Sequence, residues 1–410
     1  MTDTPSKGPL RIAHIRILLV ASLGQFLGQG LATLVGIVIP LLKLASSGLP
    51  SGLEGILGCI SLIGIMIGSA VIGNLSDRLG SRMLFRLCPL VCGLSALAVV
   101  LFPHVYVLLV CLFIMGFAVG GEYSLDPNYI SALMPQQWKL YMVGVAKALA
   151  SVGSAFVAII CYIVLRHGAE PRMWSGLMWI IVGLCTLMVL LRLQCPPVPN
   201  STKAPALSIT QFVRTRLRKV IFTGVPWACE GLGVYGIGIF LPVLVLAFHL
   251  DSASSTATQM DAITASVELT FVLCVVMMAG FATGLLALRR LSHVTMQIWG
   301  FWISVAGLGL LLATYLLRWP SAIAIAGFVI FELALNAGPH LITFILPSQV
   351  FDGNDRGTGA GIAASVGKAG AVVGAFCIPV ILHQWGATGV LVVSIIVMAL
   401  GAVITRIFRP

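Results

Sequence analysis

Seven ionisable side chains stand inside long apolar runs of this 410-residue chain: Glu122, Asp126, Lys147, Glu230, Glu268, Glu332 and Lys368. A charge at the centre of a membrane helix costs roughly 2.5 to 3.5 kcal/mol, so one that persists there faces a bundle interior, a water-filled cavity or a partner. The chemistry open to such groups is to bind a charged solute and to hold a proton. Glu122 and Asp126 are spaced i, i+4, so charge on one opposes charge on the other and the pair is suited to carrying a proton near neutral pH. Asp126 also precedes Pro127, where it is equally placed to cap a helix break. Glu332, Asn336 and His340 form an i, i+4, i+8 stripe, and Trp227 with Glu230 an i, i+3 pair. His340 there is able to bond a solute, to titrate, or to be satisfied by a backbone carbonyl. Gln25 and Gln29, again i, i+4, offer neutral hydrogen bonds to a polar solute or to a neighbouring helix.

The elements that must position these groups are membrane helices. The chain is 59% hydrophobic and 9% charged, where a soluble surface needs roughly 25% charged residues. Soluble enzymes, nucleic-acid binders and disordered scaffolds are thereby excluded. Twelve runs are long and apolar enough to span a bilayer: 17–42, 53–75, 83–101, 105–133, 140–165, 173–194, 220–247, 263–288, 294–316, 321–346, 358–382 and 387–408. The net charge of +11 comes in short clusters between the runs. Eighteen lysines and arginines, among them Lys7, Arg16, Arg78, Arg82, Arg192, Lys203 and Arg406, fall on the side of the N-terminus, against Lys43, Arg166, Arg172 and Arg318 on the other. The positive-inside rule then places both termini in the cytoplasm, which demands an even number of spans. The ten cysteines sit singly in apolar stretches and read as small buried hydrophobes, with no metal site or cofactor expected.

Residues 195–219 form a Pro-rich basic stretch midway along the chain, which divides it into halves 1–194 and 220–410. PNYISALMP (Pro127 to Pro135) lies over PHLITFILP (Pro339 to Pro347), and GVAKALASVG (Gly144 to Gly153) over GIAASVGKAG (Gly361 to Gly370). These matches imply an internal duplication, the signature of a carrier that rocks about a site between its halves. The alignment sets Lys368 opposite Ser151, one turn from Lys147, so both ammonium groups are expected on equivalent faces of one cavity. Two such charges repel unless an anion or carboxylates lie between them.

Between the second and third runs stands GNLSDRLGSR, Gly73 to Arg82. It resembles the signature of the major facilitator superfamily in its first cytoplasmic loop. A conformational latch of Gly73, Asp77, Arg78, Gly80 and Arg82 is expected, with Gly73 allowing close helix contact. Asp77 would accept hydrogen bonds from a neighbouring helix N-terminus or pair with Arg78 or Arg82. GFAVGGEYSLDPNYISALMP (Gly116 to Pro135) and the stretch from Asn336 to Phe376 are similar to phosphate:proton symporters and organic-metabolite:proton symporters. By position, the resemblance implies an acidic residue at Glu122, substrate contacts at Tyr123, Asn336 and Lys368, and a seventh-span tryptophan at Trp227, next to the Tyr235-Gly236 pair. The family's seventh-span aspartate falls on Gly231, beside Glu230, its fifth-span glutamine on Ala150 and its first-span aspartate near Gly28.

The expectation is an all-α membrane protein of twelve helices in two pseudo-symmetric halves, a carrier and not an enzyme. It would move a small anion, phosphate or an organic carboxylate, by alternating access. Proton symport is what the resemblance implies. Lys368, Lys147, Tyr123, Trp227, Asn336, His340, Gln25 and Gln29 would contact the solute. Glu122, Asp126, Glu230 and Glu332 would handle protons, Glu122 first among them. The expected setting is a multi-pass monomer in a bacterial inner membrane, with the bilayer, the solute and protons as its partners. The rival expectation is an exporter of amphipathic or cationic compounds whose carboxylates touch the cargo.

Overall fold

In lipid every backbone N–H and C=O must be bonded internally, so the apolar runs have only the helix or the closed barrel open to them. The computed structural model describes residues 11–45, 51–167, 170–196, 208–247, 259–351 and 355–409, with backbone alone at 51, 52, 54, 171, 172, 235–247 and 259–262. Lys7, Lys203, the Arg172 and Tyr235 side chains and the middle of the linker lie outside the described residues. All regular elements described are helical: α1 (Ile12–Ala45), α2 (Ser51–Leu79), α3 (Ser81–Leu101), α4 (Val105–Leu133), α5 (Lys139–Arg166), a 3-10 segment (Pro171–Met178) leading into α6 (Trp179–Leu193), α7 (Ile209–Ala247), α8 (Gln259–Ala287), α9 (His293–Leu317), α10 (Ser321–Ala337), α11 (Pro339–Val350) and α12 (Arg356–Ile407).

Three local features depart from the simple reading of the runs. The tenth span is broken into α10 and α11 at Gly338 (φ −112°, ψ −97°), because the next residue, Pro339, has no amide hydrogen to donate and bars helical geometry before it. The eleventh and twelfth spans are one 52-residue helical stretch, bent at Gly386 (φ 63°, ψ −165°). α7 begins at Ile209, inside the stretch assigned to the linker, and carries a non-helical residue at Arg216.

Packing repeats between the halves. α1 packs on α5, α2 on α4 and α3 on α6; correspondingly α7 packs on α12, α8 on α10 and α9 on α12. The halves meet where α2 lies along the start of α12 and α5 along α8. Large apolar side chains such as Leu94, Ile163, Trp299 and Ile396 are exposed on the outside, as a lipid-facing surface requires, while polar side chains are gathered inward.

The backbone at Gly386 occupies a region open essentially to glycine alone. Gly386→Ala is expected to cost about 1–3 kcal/mol of stability, read as a lowered melting temperature of the purified protein in detergent with the helical content unchanged.

Candidate functional site

Tyr123 stands at the centre of the bundle, 4% exposed. It reaches that position from α4, whose buried small residues, Gly116, Ala118, Gly120 and Gly121, let neighbouring helices close in. Lys147 of α5 brings its Nζ to 5.6 Å from the Tyr123 ring centroid, and Lys368 of α12 to 4.6 Å. The two ammonium nitrogens are therefore no further apart than those two distances together. Trp227 of α7 and Phe344 of α11 complete the wall, their centroids 6.1 and 6.2 Å from Tyr123 and 6.3 Å from each other. Lys147 Nζ also lies 5.7 Å from the Phe344 ring. Cation–π contact of this kind offsets part of the cost of burying an ammonium group.

A carboxylate lies near both lysines: Glu230 of α7 is buried within electrostatic reach of Lys147 and Lys368. The acid stands at 230 and not at 231 for a steric reason. A Cβ at Gly231 would fall 2.7 Å from the carbonyl oxygen of Gly367, so that position serves close contact between α7 and α12.

From Glu230 a string of polar groups runs along the broken tenth span. Asn336 Nδ2 donates to the backbone oxygen of Glu332 at 2.8 Å and to its Oε2 at 3.0 Å. Because those oxygens only accept, the amide orientation is fixed and Asn336 Oδ1 faces His340. His340 Nδ1 lies 3.0 Å from that oxygen and 3.8 Å from Glu230 Oε1. Nδ1 must therefore carry the hydrogen, which leaves Nε2 as the accepting nitrogen of the neutral ring. The expected stripe Glu332, Asn336 and His340 is thus brought together across the break at Gly338.

Glu122 and Asp126 are placed differently from the expectation. Among the described residues neither forms an ion pair with a lysine. Arg192 of α6, counted in the sequence as a loop residue, is fully buried. Its Nη1 and Nη2 donate to Glu122 Oε1 and Oε2 at 2.8 and 2.7 Å, and Nη2 lies 3.4 Å from Asp126 Oδ1. The guanidinium also donates to Phe85 O at 2.7 Å and stacks 3.6 Å over the Phe85 ring. Gln25 serves this cluster too, donating from Nε2 to Asp126 Oδ2 at 3.1 Å. Gln29, one turn on, is half-buried and accepts from Thr33 through its backbone oxygen. Glu268 of α8 is exposed. The signal for Arg192 was present in the sequence: two carboxyls at i, i+4 call for a cation, and Arg192 interrupts the apolar run MVLLRLQC.

Asp77 makes the first of its two expected kinds of contact, with a helix N-terminus. Asp77 Oδ1 accepts from Gly357 N at 3.0 Å, and Oδ2 from Thr358 N at 2.6 Å and Thr358 Oγ1 at 2.7 Å, all at the N-terminus of α12. Asn74 Nδ2 donates to Thr358 Oγ1 at 3.1 Å. Gly73 allows the approach, since a Cβ there would sit 2.5 Å from Gly357 O. Arg78 and Arg82 are exposed and, among the described residues, form no pair with Asp77, whose carboxylate is turned toward the amides of α12. Gly80 (φ 89°) makes the turn into α3.

Removing one partner of a buried ion pair strands the other in low dielectric, at a cost of about 3–5 kcal/mol. Arg192→Met is expected to lower stability by that order in detergent melts, and Glu122→Gln added to it to recover part of the loss. Unchanged melting of Arg192→Met would show that the bidentate pair contributes nothing.

The Major Facilitator Superfamily model matches residues 21–349. The inner membrane metabolite transport protein YgcS of Escherichia coli (strain K12) is 24% identical over 87% of this chain and 83% of its own length. The low affinity inorganic phosphate transporter 3 of Petunia hybrida is 23% identical over 80% of this chain and 73% of its own. Among solved structures, the proton:xylose symporter XylE bound to 6-bromo-6-deoxy-D-glucose superposes with a TM-score of 0.78 at 18% identity, covering 97% of this chain and 96% of that one. The fold is the twelve-helix carrier fold, and the protein is a multi-pass membrane transporter and not an enzyme. By its sequence and its architecture alike, the chain belongs to the Major Facilitator Superfamily.

Proposed function

We propose that this carrier moves a small anionic metabolite, bound between Lys147 and Lys368, by proton-coupled alternating access. The observation that carries the reading is the meeting of two lysines from opposite halves over one Tyr123 ring, with the buried Glu230 near both. Two buried ammonium groups about one aromatic ring repel each other, and an anion between them relieves that repulsion. Inorganic phosphate and small organic carboxylates both fit such a site. The phosphate transporter and metabolite transporter relatives support the class.

The coupling carboxylate in this reading is Glu230. Ionised, it competes with the solute for the ammonium groups; protonated, it releases them. Loading a proton and loading an anion then favour one another, which is symport. Glu332 acts behind it, through Asn336, by holding His340 with Nδ1–H toward Glu230. Glu122 and Asp126 hold the amino half together around Arg192. Gly73 and Asp77 clasp α2 to α12 at the arginine-rich end, so entry from that end requires the bonds to Gly357 and Thr358 to part. The units are 1–194 and 220–410 about the connecting stretch, both termini are cytoplasmic, and the setting is a bacterial inner membrane; the inner-membrane relative supports this.

A thermal-shift panel of phosphate, sulfate, mono- and dicarboxylates, amino acids and sugars on the purified protein tests the class. An anion is expected to stabilise it, and a response to sugars or cations alone would overturn the reading. Loss of one charge-assisted contact corresponds to about 10- to 100-fold in affinity, the weakening expected for Lys368→Gln and Lys147→Gln. In liposomes, Glu230→Gln is expected to keep solute counterflow and to lose the stimulation of uptake by external acid. Equal acid stimulation in Glu230→Gln would remove that residue from the coupling step.

A further inference from the structure

A cavity of about 760 Å³ opens on the outer surface where the first turns of α3 meet the end of α6. It is unrelated to the central site. Its floor is apolar and runs along the helices: Met83, Leu87 and Leu90 at i, i+4 and i+7 of α3, faced by Val189 and Leu193 at i, i+4 of α6. Met83, Leu87, Leu90 and Leu193 are 60%, 39%, 44% and 54% exposed, so no neighbouring helix covers them. At a rise of 1.5 Å per residue the floor extends roughly 10 Å from the helix ends toward the membrane centre.

The mouth of the groove carries the opposite character. Arg82 and Arg86, one turn apart, both line it. Arg86 is fixed in place: its Nε donates to Arg192 O at 3.2 Å and its Nη2 to Leu193 O at 2.9 Å, closing the C-terminus of α6. Arg82 is exposed. Asp77, the nearest acid in the sequence, is engaged by α12 and turned away. The groove is therefore cationic at the membrane surface and apolar along its depth. A soluble anion has no use for the apolar floor, and a zwitterionic lipid does not match the net charge at the mouth. Basic recesses between membrane helices hold anionic lipid head groups on this principle.

We propose that this groove is a binding site for an anionic phospholipid, the head-group phosphate on Arg82 and Arg86 and one acyl chain against Met83, Leu87 and Leu90. Exchange of dioleoyl phosphatidylglycerol against dioleoyl phosphatidylcholine on the purified full chain, followed by native mass spectrometry, tests it. The expected result is retention of phosphatidylglycerol over phosphatidylcholine, weakened about fivefold in Arg82→Gln, the worth of one basic residue near a membrane surface. Leu90→Trp, which fills the exposed floor and leaves both arginines intact, is expected to weaken retention as well. Sodium phosphate at the same concentration should fail to displace the lipid. Equal retention of the two lipids, unchanged retention in both variants, or displacement by phosphate alone would each overturn the assignment. Arg82 takes no part in the central site, so solute-induced thermal stabilisation serves as the control for folding.

Discussion

Hydrocarbon gives a charge no solvent, and so every ionised group within the bundle must find its balance among a few neighbours. This chain meets that constraint in two different ways. Around Arg192 the guanidinium takes Glu122 on both nitrogens and Asp126 on one, with Phe85 stacked above and Gln25 bonded behind. Its geometry joins α1, α3, α4 and α6 into one body. Around Tyr123 the charges come from both halves: Lys147 and Lys368 belong to different halves, and Glu230 lies near both. A cluster satisfied within one half can hold that half rigid. A cluster whose members belong to both halves is sensitive to how the halves are set.

The contact between α2 and α12 shows the energetic scale on which such a setting can change. Asp77 accepts two backbone amides and one hydroxyl. Hydrogen bonds to a charged group contribute about 1.5–3 kcal/mol each, so three of them are worth about 5–9 kcal/mol at most. A solute of micromolar affinity binds with about 8 kcal/mol, but only the difference between its affinities for the two settings can shift them. Opening the clasp therefore takes a binding difference comparable with the whole of such an affinity, less whatever bonds the freed groups make in the other setting.

Much of this was legible in the sequence, and the failures have physical causes. Span positions followed from apolar length, and the fourth span matched its helix, Val105–Leu133, because composition alone sets it. Tyr123, Trp227 and the two lysines were found through the repeat and the family resemblance, and the structure gathers them. What composition and spacing cannot give is the direction a side chain takes around a helix whose sides are all buried. Glu122 and Tyr123 are adjacent in sequence, about 100° apart around α4, so only one can face the centre. It is the tyrosine. Arg192 was misplaced because a lysine or arginine near the end of a run reads as interfacial, and burial there depends on partners far away in the chain. The break at Gly338 was hidden because apolar length continues across it, although Gly338-Pro339 is the local signal for it.

The displacement of the acid from 231 to 230 ties these strands together. α7 and α12 approach closely enough at Gly231 that a Cβ would press on Gly367 O. An acid at that position would have to force the helices apart, and with them Lys368, the residue next to Gly367. One residue earlier, Glu230 leaves the contact intact and comes within 3.8 Å of His340. The proposed coupling group is thereby bracketed by the lysines on one side and by His340 on the other. His340 cannot turn its accepting nitrogen toward Glu230 while Asn336 is held by Glu332. A neutral His340 therefore presents a donor on the side of Glu230. The half that supplies the carboxylate also supplies the groups that keep it in place, which leaves Lys147 of the other half to report on whether the two have come together.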